Sequence, residues 1–344
     1  MKPLGLPLIF LLAVGVFGVD MNNFKTCEQS GFCKRLRSFK PEKSQYTLNL
    51  DTVIVHGNVL SAEVTTVNTD TEKKIPLWKY SLTFSALLDG TFRIEIDEAD
   101  PIYPRYRTQL ALDGEPKADG KLCVRYTYFE IWRLSVIGAI RSTLSPHYSP
   151  LHLNSEPLRY LITSEEEGTW GENFKSHHDS KPRGNEAVSL DVSFPDADQI
   201  YGIPEHTDKF SLRTTTSGEP YRLYNLDVFE YELDSRMAIY GAVPVLYAHG
   251  SKRTVGVFWH NSAETWVDVV NYADGTVVSS LVNLVTGGHK RRVDARFISE
   301  SGIVDVFVML GNKPADVFRQ YTKLTGVTPL PPVVCEFWQF IYCR

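Results

Sequence analysis

Alternation of apolar and polar positions, the signature of strands with one covered face, runs through most of this chain. Tyr46, Leu48 and Leu50 alternate with polar residues, and Val53-Ile54-Val55 follows. Ser81 to Leu88 and Thr91 to Ile96 form two β-type runs joined through Asp89-Gly90, with Phe92, Ile94 and Ile96 on one face and Arg93 and Glu95 on the other. Asp-Gly between alternating runs is a strong hairpin signal. A second Asp-Gly, Asp274-Gly275, separates Trp266–Val270 from Thr276-Val277-Val278. Val255–Trp259 and Val304–Leu310 read as two further apolar strands. Many short strands with turn residues between them predict an all-β fold built as an antiparallel sandwich. The polar stretch Glu165–Arg183 reads as a long surface loop.

Near the end the period changes. Pro314 suits a first helical turn, Phe318, Tyr321 and Leu324 recur at helical spacing, and Gly326 can close the helix. Pro329-Leu330-Pro331-Pro332 stops it, and the apolar stub Val333–Tyr342 looks like the start of another domain. The expected division is 1–18 as a signal peptide, 19–311 as the sandwich, and 312–344 as a linker helix and stub. The signal peptide follows from Lys2, the apolar run Leu4–Val16 and the small residues before Val19. No later stretch is apolar enough to span a bilayer, so a luminal or secreted product is expected.

Composition changes this picture little. The 344 residues are 43% hydrophobic and carry a net charge of -5, an ordinary globular balance that argues against nucleic acid. The basic runs Lys34-Arg35-Leu36-Arg37 and Lys290-Arg291-Arg292 read as solvated loops. In an oxidising compartment Cys27 and Cys33 are close enough to close a small disulfide loop, the alternative being two free thiols. The other cysteines are Cys123, Cys335 and Cys343. No paired metal-ligand spacing suggests zinc, and no N-glycosylation sequon occurs. Ser176-His177-His178-Asp179 resembles a metal site but reads better as loop.

Candidate acids are plentiful and individually uninformative. Asp196 and Asp198 bracket one residue and read as a turn before Tyr201-Gly202. Glu205-His206-Thr207-Asp208 offers two acids and a base together, with loop capping as the plainer reading. No Gly-x-Ser-x-Gly elbow, Walker loop or dinucleotide fingerprint occurs, and no cofactor is expected.

Two segments carry a resemblance. One runs from Phe194 through Tyr201-Gly202 to His206; the other runs from Glu219 through Asn225-Leu226-Asp227 to Tyr231 and on from Ala238 to Val245. With Val19–Arg35, Gly168–Lys175, Asp179–Pro182 and Phe258–Asp268, they resemble the N-terminal part of catalytic α subunits in glycoside hydrolase family 31. The resemblance implies a galactose mutarotase-like β-sandwich ahead of a (β/α)8 barrel. It implies an endoplasmic-reticulum α-glucosidase that removes α-1,3-linked glucose from N-linked glycans, with a non-catalytic β subunit supplying retention. The family's nucleophile and acid are barrel aspartates, the former in a Trp-x-Asp-Met-Asn-Glu motif that this sequence lacks. Residues 123–165 and 333–344 depart from the family pattern. The expectation is therefore no hydrolysis by these 344 residues alone. One functional position carries over, Asp227, on a loop that reaches the sugar site; Phe229 is a candidate sugar-stacking ring. The other reading is a non-catalytic module that binds carbohydrate or the β subunit.

Overall fold

The computed structural model describes residues 19–38, 46–66, 78–101, 103–120, 135–136, 151–152, 172–179, 186–228, 230–272 and 292–330. Its strands are β1 (Tyr46–His56), β2 (Val59–Thr66), β3 (Lys79–Ala86), β4 (Thr91–Glu98), β5 (Ser135–Val136), β6 (Leu151–His152), β7 (Glu172–Phe174) and β8 (His177–Asp179). They continue with β9 (Val188–Pro195), β10 (Gln199–Gly202), β11 (Tyr221–Leu223), β12 (Val245–His249), β13 (Thr254–Trp259), β14 (Thr265–Asn271), β15 (Arg292–Ser299) and β16 (Val304–Gly311). Among the described residues two α-helices accompany them, α1 (Gly31–Ser38) and α2 (Pro314–Thr325).

Eight strands form one antiparallel sheet in the order β1-β2-β3-β4-β16-β13-β12-β10, and four form another in the order β11-β14-β15-β9. The inner faces meet in one core. Phe84, Ile94, Val257, Trp259, Val306 and Val308 come from the large sheet, and Val192, Phe194, Val267, Val269 and Phe297 from the small one. Trp259 crosses the interface, stacked on Phe297 at 5.4 Å, while its indole N–H donates to Ser299 Oγ at 2.8 Å. That bond satisfies the one polar atom of a fully buried ring.

The β3–β4 hairpin forms where Asp89-Gly90 predicts it. Both residues take positive φ, 59° and 80°, which the twist of a tight hairpin requires and glycine tolerates. The alternation in β4 is also correct, and Arg93, on the second face, is buried. The outer face of the large sheet is itself covered, by α2 and, beside Arg93, by the segment that carries Glu115. Phe258, Phe307 and Met309 pack there against Val317 and Leu324. Every residue of β13 is consequently buried, which explains its unbroken apolar run.

In α2 the buried stripe is Val317, Gln320 and Leu324. Gln320 replaces an apolar residue by accepting from Thr91 Oγ1 and Leu310 N and donating to Leu310 O at 2.6 Å. Phe318, expected on the packed face, stays 56% exposed and stacks on Tyr247. Pro314 occupies the first turn, and the helix ends before Gly326.

Three further expectations change. The run Lys34–Arg37 lies in α1, not in a loop. Its Leu36 is buried with Phe32, Trp266 and Ile298 against the outer face of the small sheet, and Cys27 is disulfide-bonded to Cys33 within the same cluster. Within the stretch read as loop, 172–179 is the β7–β8 hairpin. Arg292 is the first residue of β15, stacked over Tyr272. The signal peptide 1–18, the Asp274-Gly275 turn, Cys123, Lys290 and Arg291, and the stub 333–342 with Cys335 and Cys343 lie outside the described residues.

Candidate functional site

The segment from Tyr224 to Pro244 leaves the small sheet at β11 and enters the large sheet at β12, so it crosses one end of the sandwich. Its backbone is pinned from both sides. Leu226 N donates to Ile239 O at 2.8 Å and Asp234 N to Thr207 O at 2.9 Å. Glu205 N donates to Gly241 O, and Gly241 N returns a bond to the Glu205 carboxylate, each at 2.8 Å. Tyr240 Oη donates to Val228 O at 2.8 Å, and Val228 is buried. Asp227 lies between the anchored Leu226 and the buried Val228, with its side chain exposed. A carboxylate fixed at its backbone and open to solvent can accept charge-assisted hydrogen bonds from sugar hydroxyls. Phe229 lies outside the described residues.

Glu205-His206-Thr207-Asp208 is the support of this loop. Tyr221 Oη donates to Asp208 at 2.7 Å, and Arg213 pairs with the same carboxylate at 2.7 Å. Burial opposes ionisation of Asp208, but these bonds outweigh it and hold its pKa below the ordinary value. His206 Nδ1 contacts Met237 O at 3.1 Å, and burial lowers the pKa of the imidazole. Arg236 donates to the carbonyls of Thr214, Ser217 and Glu219, tying the loop to the chain before β11. Asp208 is thus committed to an arginine and a tyrosine. Asp196 sits at a turn with φ 62° and pairs with Arg253 at 3.5 Å; Asp198 N donates to His249 O.

A cleft of about 600 Å³ opens between the loop and α2, lined by Tyr224, Asn225, Val243, Phe258 and Tyr321 among others. His260 lies at its base. Its Nδ1 is 2.7 Å from Asp305 Oδ2, and Asp305 accepts two bonds of 2.9 Å from Arg93. This buried trio links β4, β16 and the end of β13. Sequence alternation placed Arg93 on the face opposite Phe92, Ile94 and Ile96 and gave no sign of the trio, because its three members are remote in sequence.

Among the described residues no group of three or more His, Cys, Asp or Glu could hold a metal, and His177-His178-Asp179 belongs to β8. Among the same residues no helix is long and apolar enough to cross a membrane.

Sequence comparison matches residues 60–268 to the glycosyl hydrolase 31 N-terminal galactose mutarotase-like domain. The chain is 38% identical to neutral alpha-glucosidase AB of Mus musculus over 96% of its own length and 40% of that protein. It is 32% identical to glucosidase 2 subunit alpha of Schizosaccharomyces pombe, over 95% of this chain and 39% of that protein. A crystal structure of glucosidase II alpha subunit, bound to Glc1Man2, superimposes with TM-score 0.70 at 30% identity, over 90% of this chain and 38% of that one. The catalytic subunit in an ER glucosidase II complex with the binding domain of its regulatory subunit gives TM-score 0.67 at the same identity and coverage. The chain therefore spans about two-fifths of the length of these relatives.

Proposed function

This chain belongs to glycoside hydrolase family 31 through its galactose mutarotase-like domain, and on that premise we propose that it is the N-terminal portion of an α-glucosidase subunit of the glucosidase II α type. Its role in that reading is to present one substrate-binding carboxylate to a catalytic domain that removes α-1,3-linked glucose from N-linked glycans in the endoplasmic reticulum. Residues 1–18 serve as the signal peptide, 19–311 as the sandwich, and 312–344 as a linker helix and barrel stub.

The observation that carries this reading is the loop bearing Asp227. It is fixed by hydrogen bonds at Leu226, Gly241 and Tyr240, while the Asp227 carboxylate stays exposed. A sandwich loop built this way holds a charged acceptor at a set position, as a sugar site requires. Hydrolysis needs two more carboxylates about 5 Å apart across the glycosidic bond. Asp208 and Asp305, two of the buried or part-buried acids, are engaged by Arg213 and Arg93 and are not free for that work. The 344 residues alone bind glycan weakly and do not turn it over. A β subunit is the expected protein partner, by analogy with the regulatory subunit of the two-chain relative.

The test is α-glucosidase turnover of nigerose by the purified chain, together with glycan binding by the wild type and by Asp227→Ala. No turnover, with binding that the substitution weakens, supports the reading. Turnover by this chain overturns the inactivity, and binding indifferent to Asp227 overturns its assigned role. The second reading, a stand-alone binder of carbohydrate or the β subunit, requires tight binding without a catalytic domain and is judged by the same titration.

A further inference from the structure

The outer face of the small sheet is divided in two. Near α1 it is apolar, where Trp266 and Ile298 are covered by Phe32, Leu36 and the disulfide. Beyond α1 the same face turns polar. Register places Asp268 opposite Arg296, and Arg296 opposite Asp191; the next row is Val270, Asp294 and Ser193. These rows floor a groove of about 910 Å³, walled by α1 on one side and by Thr215, Thr216 and Glu219 on another. The volume falls in the range of about 300–1,000 Å³ typical of small-ligand sites.

The charges on the groove floor are paired. Arg296 binds Asp191 at 2.6 and 3.0 Å, Arg37 binds Asp268 at 3.0 Å, and Arg292 binds Asp294 at 2.8 Å. A charged ligand seated on that floor would have to break one of these pairs. A neutral ligand with many hydroxyls would not, because each paired carboxylate and guanidinium keeps further hydrogen-bonding sites. Tyr272 adds an aromatic ring to the wall, held by the Arg292 guanidinium 4.4 Å above it. Burial raises the Asp294 pKa, in keeping with a carboxyl withdrawn from water.

We propose that this groove is a second carbohydrate-binding surface, which takes the hydroxyl-rich edge of a neutral oligosaccharide along β9, β14 and β15. Asp227 does not line it. The inference rests on the α-glucosidase reading for the class of sugar and on the groove alone for its place.

The test is calorimetric titration of the full chain with a monoglucosylated high-mannose oligosaccharide. It compares the wild type with Asp294→Asn, Tyr272→Ala and Thr216→Trp. Thr216 is exposed and makes none of the ion pairs, so the indole obstructs the groove without breaking one. Asp227→Ala is the control for the loop site, and thermal unfolding confirms that each variant is folded. Weakening by about tenfold or more in Thr216→Trp and Asp294→Asn, with Asp227→Ala retaining a binding component, supports the groove. Binding abolished by Asp227→Ala but unchanged in the groove variants overturns the proposal and leaves the loop reading intact. Absence of any binding by the wild type also overturns it. Loss of β-subunit binding in the groove variants, with glycan binding unchanged, assigns the surface to a protein partner and overturns it equally.

Discussion

Gly256 of β13 lies directly beneath Val317 of α2: a Cβ built on the glycine would come within 2.3 Å of Val317 Cγ1. The missing side chain lets the helix approach the sheet and cover Phe258, Phe307 and Met309. Gly256→Ala should therefore push α2 outward and cost about 1–3 kcal/mol, the usual range for overpacking. Urea unfolding measures this. Pairing Gly256→Ala with Val317→Ala should recover part of the loss, since the second change removes the clashing methyls; strict additivity would mean that the contact does not set the helix position.

Asp305 is a buried carboxyl whose pKa folding lowers. Burial pushes its carboxyl up, but hydrogen bonds from Arg93 and His260 more than offset this and hold it below its ordinary 3.8. A depressed folded pKa contributes stability above the unfolded value and loses it as pH falls through the folded one. Asp305→Ala removes the bidentate partner of buried Arg93 and leaves it only Glu95 and Glu115, at a cost of about 1–3 kcal/mol near neutral pH. The stability gap between wild type and Asp305→Asn should be flat at neutral pH and shrink below pH 3.8. A gap that stays constant into acid would show that folding does not shift the Asp305 carboxyl from its ordinary value.

The same residues mark how far the sequence could be read. The β3–β4 hairpin, β13, β16 and α2 were legible, because turn chemistry and periodicity are local. Arg93 and Asp305 were not, because alternation tells which residues share a face but not whether that face is covered. Phe318 and Gln320 were exchanged for the same reason: a helix of mixed polarity buries a glutamine when a strand end offers it Leu310 N and O. Asp227 is a candidate through family resemblance alone, since an exposed acid has no local signature. The clasp behind it, Asp208 to Tyr221 and Arg213, was read only as loop capping. The polar groove escaped notice because Asp191, Asp268 and Asp294 are brought into register by strands far apart in sequence.

The Cys27–Cys33 bond closes a loop of small sequence separation, 6, beside Phe32 and Leu36 on the outer face of the small sheet. Chain-entropy reasoning for a loop of that size gives about 2 kcal/mol. Cys27→Ser with Cys33→Ser should lower stability by about that amount. It should also loosen the cover over Trp266, so that quenching of tryptophan fluorescence by acrylamide rises. Destabilisation without a change in quenching would mean that Phe32 and Leu36 hold the segment in place on their own.

Tyr221 connects the core to the Asp227 loop, and high pH should disconnect it. Burial, then the neighbouring Asp208 carboxylate, pushes the phenol from 10.0 up to about 12. The folded state thus retains the neutral phenol, which donates to Asp208 at 2.7 Å and accepts from Arg213 N at 2.8 Å. The stability this supplies is complete below pH 10.0 and is lost as pH rises through about 12. Tyr221→Phe removes both bonds and leaves a partly desolvated Asp208, at a cost of about 1–3 kcal/mol near neutral pH. Other raised tyrosines, Tyr247 among them, titrate in both proteins and cancel in the difference. The gap between wild type and Tyr221→Phe should therefore narrow above pH 10.0, and glycan binding through Asp227 should weaken in the variant even where it remains folded. A gap independent of pH would show that the phenol titrates at its ordinary value. Undiminished binding would show that the loop holds Asp227 without the clasp.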